Sequence, residues 1–504
     1  MLIIGAAGGH EVLASLHFDA AHVDAVELNP VTHSLVERRF AAYAGHLADR
    51  PDVSWLQGDG RSFLARTHHT YDLVWFPAPD SYAATNAATS GAFVLSESYL
   101  YTSEAITESL DRLAPGGVLA AQFGEQNFAK KPNRTARYVS TVRRALAERG
   151  IDDPSRYVAV ITSPYLDRVY RNSTILVKTT PFEPGELQRL TRQMGAVEGS
   201  TVAYAPGTAG DANAVSEILT LPADRLRAWY DRYPYDVRPI TDDSPFFWHF
   251  TRFGDVVRNL RQPIDRADFE DATGERVLLL LLAVATAFAG VFLLLPFLAV
   301  RQTWTALPVK GRSAAYFAAL GLGFMLFEVT LIQRLTLFLG YPTYSLTVTL
   351  ASILVFTGVG AALSPRTARR PQQVLPVLAA AIVGLTAFYE LGLPPLTHAL
   401  LDTPLTARVL VTFAVLAPLG LCLGTFMPLG LRTVASLSDH PEEYIAWGWA
   451  VNGFASVIGA VLTTLLAMTL GFRVVLVLGV VVYLFALGML RWLLRAVPLA
   501  VIGD

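Results

Sequence analysis

The stretch Leu2–Pro30 decides the fold: it opens with LIIGAAGGHEVL and closes with VDAVELNP. A short apolar run breaks at Gly5, and Gly8 and Gly9 follow after two alanines. A helix-like segment then leads into a second apolar run, which stops at the acid Glu27. Strand, glycine-rich turn, helix, strand and acid in this order indicate the first βαβ unit of a nucleotide-binding, Rossmann-like fold.

The glycines and the acid of this unit are candidate cofactor ligands. Glycine lets a backbone approach a ligand closely, because a Cβ there would collide with it. Glu27 lies twenty-two positions beyond Gly5, at the carboxyl end of the second strand, where a carboxylate meets ribose hydroxyls. An ordinary βαβ crossover with a small-residue turn is the alternative. The turn and the acid together favour a site that contains Gly5, Gly8, Gly9 and Glu27.

Composition separates the chain into two unlike parts. Its 504 residues are too many for one core, so we expect at least two domains. The formal net charge of −2 gives no support for nucleic-acid binding through a global basic surface. Cys422 is the only cysteine, which excludes an intramolecular disulfide and a metal site built from cysteines, and we expect no metal. Residues 1–275 are mixed and charged, whereas long apolar runs follow from Val277.

A third strand is expected at Val53–Leu56, followed by the turn Gln57–Arg61. The carboxyl end of this strand also faces the cofactor in a Rossmann-like sheet. Asp59 is therefore a candidate acceptor for an adenine amino group, with Gly60 beside it. The alternative is a plain Asp-Gly surface turn. Agreement with the glycine turn and with Glu27 favours the ligand role.

A fourth strand is expected at Tyr71–Phe76, buried on both faces to judge from its apolar character. Ligands of open α/β sheets bind at the carboxyl ends of strands, so Asp80, which follows closely, is a candidate for the reacting centre. Otherwise Asp80 caps the next segment. The small residues of Ala83–Ala92 are expected to form a loop over the site, or a plain linker.

The rest of the first half supplies further elements and one structural cluster. Helices are expected at Val31–Ala48, Ser103–Leu113, Arg134–Arg149, Pro184–Met194 and Asp224–Tyr230, and strands at Val118–Gln122, Val158–Ile161 and Ser173–Lys178. Gly195–Asn213 looks like a loop. The acidic pair Asp242 and Asp243 precedes an aromatic cluster, for which we favour a structural role over closure of the pocket.

The second half contains seven apolar segments, each near the ~20 residues that span a bilayer. They lie at roughly 277–299, 314–333, 345–363, 374–393, 409–431, 445–470 and 474–490. The sequence thus predicts three regions. Residues 1–180 form a Rossmann-like domain, residues 181–275 form an extension and juxtamembrane linker, and residues 276–496 form an all-α polytopic transmembrane bundle.

Glu328 is the most informative charge of the second half, because it lies in the middle of an apolar segment. An ionisable group at membrane depth is functional by default, or at least paired inside the bundle. Arg334 lies six positions further along, on a different helix face, so a simple pair between the two within one helix is not expected. The alternatives are a transport path and an interhelical polar clamp, for example with Asn452.

An ordered set of motifs resembles the spermidine synthase-like branch of S-adenosylmethionine-dependent transferases, in its membrane-integrated bacterial form. In the first half these motifs are IIGAAGG at 3–9, ELNP at 27–30, GDG at 58–60, YDLV at 71–74, YLYT at 99–102 and LAPGG at 113–117, with Gln122. The second half is similar from FE at 327–328 through QRL at 333–335, and in WGWAVNG at 447–453. The resemblance implies that Gly5, Gly8, Gly9, Glu27 and Asp59 hold S-adenosylmethionine or its decarboxylated form. It also implies attack by an amine on the sulfonium-bound carbon.

One departure from this family concerns the reacting centre. Aminopropyltransferases have an aspartate directly after the fourth strand, whereas this chain has Pro77 there and keeps only the second acid of the motif, Asp80. Proline has neither a titratable group nor a donor. Asp80 is therefore the candidate proton acceptor, with Glu97, Tyr101 and Gln122 as candidate substrate contacts.

The sequence therefore predicts a membrane-anchored transferase that aminopropylates or methylates a polyamine or another small amine. The alternative is a transporter-like membrane protein whose soluble domain senses a nucleotide without catalysis. We expect a multi-pass protein of the inner cell membrane with its N-terminal domain in the cytoplasm, where such cofactors occur. The distribution of basic residues between the loops mildly favours the opposite orientation, by the rule that cytoplasmic loops carry more Lys and Arg. Because the chain begins inside its first strand, we also expect that an N-terminal portion is missing or was never encoded.

Overall fold

A computed structural model describes residues 1–77, 98–125, 127–164, 171–207, 212–260, 269–299, 307–367 and 371–496. The chain divides into two compact units, Met1–Val277 and Leu278–Asp504. The first unit is a layered α/β structure, and the second consists of long helices. The predicted fold class, an α/β Rossmann-like domain followed by an all-α bundle, is confirmed.

The first unit is built on one eight-stranded sheet with the order β3-β2-β1-β4-β5-β7-β6-β8. Its strands are β1 Leu2–Ile4, β2 Val23–Glu27, β3 Val53–Gln57, β4 Tyr71–Phe76, β5 Leu113–Glu125, β6 Val158–Pro164, β7 Arg171–Lys178 and β8 Thr201–Tyr204. Strands β1 to β5 pair in parallel, while β7 is antiparallel to β5 and to β6. The order reverses between β1 and β4, which is where open α/β sheets bind ligands at their carboxyl edge.

Helices cover both faces of this sheet. They are α1 His10–His17, α2 Pro30–Ser34, α3 Gly60–Arg66, α4 Ser103–Asp111, α5 Asn133–Glu148, α6 Pro184–Gly195, α7 Ala214–Thr220, α8 Ala223–Arg232 and α9 Phe253–Arg258. Successive strand residues point to opposite faces. Ile3 packs with Val12 of α1 on one face, whereas Ile4 packs in the larger core with Leu64 of α3 and Ile106 of α4. The sheet is therefore wound on both sides.

The helix expected at Val31–Ala48 is much shorter. Its Asn29 side chain accepts from the Val31 and Thr32 backbone N–H groups and starts α2, which passes into a π-helical turn at Leu35–Arg39. The chain then enters turns with left-handed backbone at Gly45 and His46, at φ of 67° and 53°. A helix does not pass through such residues.

Another difference is at 195–213, where β8 pairs with β6 inside the stretch expected to be a loop.

A buried polar pair lies near the end of the first unit. His249 Nδ1 lies 2.8 Å from Glu275 Oε1. The Glu275 side chain is fully buried, and His249 is nearly so. Glu275 belongs to the first turns of α10, Phe269–Ala299. This pair ties the start of that helix to the aromatic segment that precedes it.

The prediction of seven spans is confirmed: in the described part of the chain, seven helices are long and apolar enough to cross a bilayer. They are α10, α11 Lys310–Leu339, α12 Pro342–Thr367, α13 Pro371–Leu391, α15 Leu405–Ala435, α16 Pro441–Leu470 and α17 Phe472–Ala496, with the short α14 Leu393–Ala399 after α13. The apolar window of α11 is 61% buried, against 11–50% for the other spans, so α11 is the central helix. Glycines such as Gly360 and Gly424 let α12 and α15 approach closely.

Candidate functional site

The glycine-rich loop between β1 and α1 bends across the end of β2. The Gly5 and Ala6 backbone N–H groups both donate to the Val26 carbonyl oxygen, at 2.9 and 3.1 Å. Gly5 and Gly9 have φ of 88° and 84°, and Ala7 lies between them at 44°. Two of these positions therefore use the left-handed conformation that glycine adopts without strain.

The three glycines beyond Gly5 differ in what surrounds them. A Cβ at Gly9 would overlap the Leu47 side chain, and a Cβ at Gly60 would overlap that of Ile4. Both are therefore needed for packing, whatever their role toward a ligand. Gly8 is exposed, and a Cβ there would meet nothing within 4 Å. The surface of the loop at Gly8 is open.

Glu27 joins the loop to the end of β2. Its Oε2 accepts from the Ala7 N–H at 2.8 Å, and its Oε1 accepts from the Asn29 N–H at 2.7 Å. The side chain is only 8% exposed. Each carboxylate oxygen has a second lone pair. Glu27 therefore holds the loop in place and keeps capacity to accept from a ligand hydroxyl.

Asp59 lies at the same edge of the sheet, at the end of β3. The Gly58 N–H donates to the Glu27 carbonyl oxygen at 3.0 Å, which ties the ends of β3 and β2 together. Asp59 Oδ1 accepts from the Ser62 N–H at 2.7 Å and caps α3. Burial raises the pKa of Asp59 above its ordinary value. The glycine loop, Glu27 and Asp59 thus converge along three neighbouring strand ends.

Gln122 lies on β5 and bridges its two neighbouring strands. Its Oε1 accepts from Trp75 Nε1 at 3.2 Å, and its Nε2 donates to Thr174 Oγ1 at 3.0 Å. The side-chain amide thus connects β4, β5 and β7. Its assignment as a substrate contact stays a prediction.

Tyr101 lies in an aromatic cluster of the larger core. It is 1% exposed, and its ring centroid lies 5.3 Å from that of Phe123 and 4.5 Å from that of Phe247. Its predicted contact with substrate is likewise untested. Asp80, Glu97 and the loop at Ala83–Ala92 fall within 78–97, outside the described residues.

Sequence reasoning missed the buried Arg61, whose guanidinium lies at the centre of a polar network. It donates to both Glu108 oxygens at 2.6 and 2.9 Å and to both Asp242 oxygens at 3.1 and 3.0 Å. It also donates to Thr102 Oγ1 and to the Tyr99 carbonyl oxygen. Burial alone would lower the pKa of Arg61, but the two carboxylates outweigh it and raise the pKa. The signal was an arginine directly after the turn glycine in QGDGR.

Glu104 belongs to the same network at the start of α4. Its Oε2 accepts from the Asp242 N–H at 3.0 Å. Burial, and then the nearby Asp242 charge, raise the pKa of Glu104. Asp242 thus pairs with Arg61 and contacts Glu104 through its backbone N–H. These contacts support the structural role that the sequence analysis favours for this acid.

The sequence also singles out three polar residues of the second unit: Glu328, Arg334 and Asn452. Arg334 donates to Glu390 Oε1 at 2.6 Å and to the Tyr389 carbonyl oxygen at 3.0 Å. Asn452 donates to the Phe317 carbonyl oxygen at 3.2 Å. Glu328 makes no hydrogen bond or ion pair within the described ranges, so neither Arg334 nor Asn452 partners it there.

Among the side chains that the structure describes, no group of three or more His, Cys, Asp and Glu residues is placed to hold a metal ion.

Comparison with known proteins finds matches among solved structures. No family model matches the chain, and no curated protein matches it. A solved spermidine synthase in complex with the transition-state analogue AdoDATO is 12% identical with a TM-score of 0.26, over 45% of this chain and 65% of that chain. A spermidine synthase from Thermotoga maritima is 12% identical with a TM-score of 0.27, over 45% and 66%. The chain thus spans slightly less than two thirds of these proteins. So distant a likeness decides nothing about the reaction.

Proposed function

We propose that this protein is a membrane-anchored transferase of the spermidine synthase-like class. It uses S-adenosylmethionine or decarboxylated S-adenosylmethionine to aminopropylate or methylate an amine or another small acceptor. The observation that carries the proposal is the contact between Glu27 and the Ala7 N–H. It fixes an open glycine loop beside an acid at the edge where α/β sheets bind nucleotides.

The residues at this edge suit an adenosyl ligand. Glu27 would accept from the ribose hydroxyls with its remaining lone pairs, and Asp59 would accept from the adenine amino group. Gly8 leaves room for the ligand above the loop. Helix α1 begins at Gly9 without a side-chain cap. Its first N–H groups are thus available to a polar ligand group.

The transfer itself asks for alignment and a proton acceptor. The amine lone pair forms a bond to the carbon attached to the sulfonium, the carbon–sulfur bond breaks, and its electron pair neutralises the sulfur. The amine proton passes to a carboxylate, for which Asp80 is the proposed acceptor. Glu97, Tyr101 and Gln122 are the proposed contacts of the acceptor substrate. Positioning of the two reactants supplies most of the rate.

We propose the matching division of labour along the chain. Residues 1–180 bind the adenosyl ligand, residues 181–275 brace that domain, and residues 276–496 anchor it in the inner membrane. The α/β unit faces the cytoplasm in this proposal, because adenosyl donors are made there.

Ligand binding by the full chain in detergent tests the proposal. Isothermal titration with S-adenosylmethionine, its decarboxylated form and methylthioadenosine should show binding of at least one of them. Gly8→Val should weaken that binding by about tenfold or more, or about 1.4 kcal/mol. The new side chain would collide with the bound ligand, whereas a Cβ at this position meets no protein atom within 4 Å.

Gly195→Ala is the matched control, since a Cβ at Gly195 also meets nothing within 4 Å. It should bind like the unaltered chain. If none of the three adenosyl compounds binds, the proposal is wrong.

A further inference from the structure

We infer that the helical unit, Leu278–Asp504, binds an alkali-metal cation at Glu328. This site is independent of the proposed transferase chemistry, which belongs to the first unit. Three observations lead to it: the position of Glu328, a set of buried hydroxyl groups, and the pairing of α11 with α12.

Glu328 occupies the middle of the central helix. It lies on α11, Lys310–Leu339, and its neighbour Phe327 is fully buried. Glu328 itself is partly buried, and within the described residues it has neither a hydrogen bond nor an ion pair. The arginine on the same helix, Arg334, is bound to Glu390 instead. A carboxylate at this depth is costly unless something compensates its charge.

Several buried hydroxyl oxygens of the same unit share this lack of a partner. Serine and threonine in a helix usually donate to the carbonyl oxygen four residues earlier, as Thr412 and Thr463 do. Five others have no hydrogen-bond partner among the described residues: Thr330, Thr349, Ser352, Thr357 and Thr386. Each such group destabilises the fold when nothing compensates it.

The α11–α12 hairpin brings the carboxylate and some of these hydroxyls to one level. The Ser345 hydroxyl donates to the Ile332 carbonyl oxygen, which fixes how the two antiparallel helices align. Glu328 lies four residues before Ile332 on α11, and Thr349 lies four residues after Ser345 on α12. Both are thus one helical turn further from the connection between the two helices. Thr349 and Ser352 share the face of Ser345, because residues four and seven positions apart lie on one side of a helix. Both are fully buried.

This set of groups has the chemistry of a hard cation site. Hydroxyl and carboxylate oxygens are the ligands of alkali and alkaline-earth ions, and one carboxylate balances one positive charge. A proton bound to Glu328 would give one O–H donor and leave a carbonyl oxygen as acceptor, so it would contact only a few of these hydroxyls. A monovalent metal ion contacts several oxygens at once. The number of unpartnered oxygens on these helices therefore suits an alkali ion better than a proton.

Binding of sodium to the purified full chain tests the inference. Scintillation proximity with radioactive sodium should show saturable binding that lithium or potassium displaces. Glu328→Gln should abolish it. Thr349→Val, which keeps the shape and removes the hydroxyl, should weaken it by about tenfold.

The matched controls are Glu443→Gln, at an exposed carboxylate of α16, and Thr469→Val, at an exposed hydroxyl that already donates within its helix. Both should bind sodium like the unaltered chain. Glu328→Asp retains the charge and serves as the test if Glu328→Gln does not fold. This variant should bind sodium more weakly than the unaltered chain. Absence of saturable alkali-ion binding, or binding that Glu328→Gln and Thr349→Val leave unchanged, overturns the inference. Sodium binding and adenosyl binding are measured separately, so either can fail alone.

Discussion

Glu27 accepts one backbone N–H with each of its carboxylate oxygens, from Ala7 and from Asn29. Sequence spacing predicts an acid at the carboxyl end of the second strand, as a candidate contact of ribose hydroxyls. It does not predict that the acid also holds the glycine loop, because that contact depends on the left-handed backbone at Ala7. At the scale of single residues, the sequence predicted that the glycine loop, Glu27 and Asp59 follow neighbouring strands. It did not predict the hydrogen bonds that they make.

Glu27→Gln tests this dual role. The amide keeps the size of the side chain but has one acceptor oxygen, so one of the two N–H groups loses its partner. We expect adenosyl binding to weaken by about tenfold or more and the free energy of unfolding to fall by about 1–3 kcal/mol. Titration and chemical denaturation of the full chain measure the two effects. Glu148→Gln, at an exposed ion pair, should change neither; an unchanged Glu27→Gln would refute the role.

At the scale of elements, a helix or strand was predicted correctly where residues within the element itself determine its bounds. Strand β4 has the expected bounds, Tyr71–Phe76, and α6 differs from expectation by one residue at its end. Strand β4 is mostly apolar, and the start of α6 is marked by Pro184 and by the capping box of Glu183 and Glu186. The short edge strand β8 has only four residues and is defined by its pairing with β6, which no local pattern encodes.

Arg61 joins α3 and α4 to the segment around Asp242. Loss of its side chain should therefore weaken the packing of all three and lower the stability of the first unit. Arg61 is 3% exposed, whereas Glu108 and Asp242 are 35% and 30% exposed. Arg61→Leu leaves both carboxylates without their counter-ion. We expect the free energy of unfolding to fall by about 3 kcal/mol, the low end for a broken buried pair because water reaches both acids.

Chemical denaturation followed by tryptophan fluorescence measures this loss. Arg144→Leu is the control, since Arg144 and its partner Glu148 are both largely exposed; its effect should stay within about 0.5 kcal/mol. A similar small effect for Arg61→Leu would show that the network adds little.

At the scale of the whole molecule, the two-part architecture was readable because a bilayer demands ~20 consecutive apolar residues per helix. All seven spans were found in this way. The pairing of Glu275 with His249 was not, since no local pattern links two residues that are 26 positions apart. Hydropathy alone does not predict that the first turns of α10 belong to the first unit.

The folded first unit should therefore need Glu275. A fragment of residues 1–277 should fold cooperatively, and a fragment ending at residue 260 should be less stable by about 1–3 kcal/mol, because His249 loses its buried partner. Thermal unfolding followed by circular dichroism compares the two. Glu275→Gln in the longer fragment should also lower its melting temperature. Equal melting temperatures for all three would contradict a structural role for this pair.

The contact between Arg61 and Asp242 spans 181 positions, and this has a consequence for biosynthesis. A ribosome delivers Arg61 early, but the carboxylate that completes its surroundings leaves the exit tunnel only shortly before Ala272, where the first span begins. The nascent α/β unit thus completes the surroundings of Arg61 just as the insertion machinery meets the first hydrophobic helix. Folding of the α/β unit and membrane targeting are in this way timed to the same stage of translation.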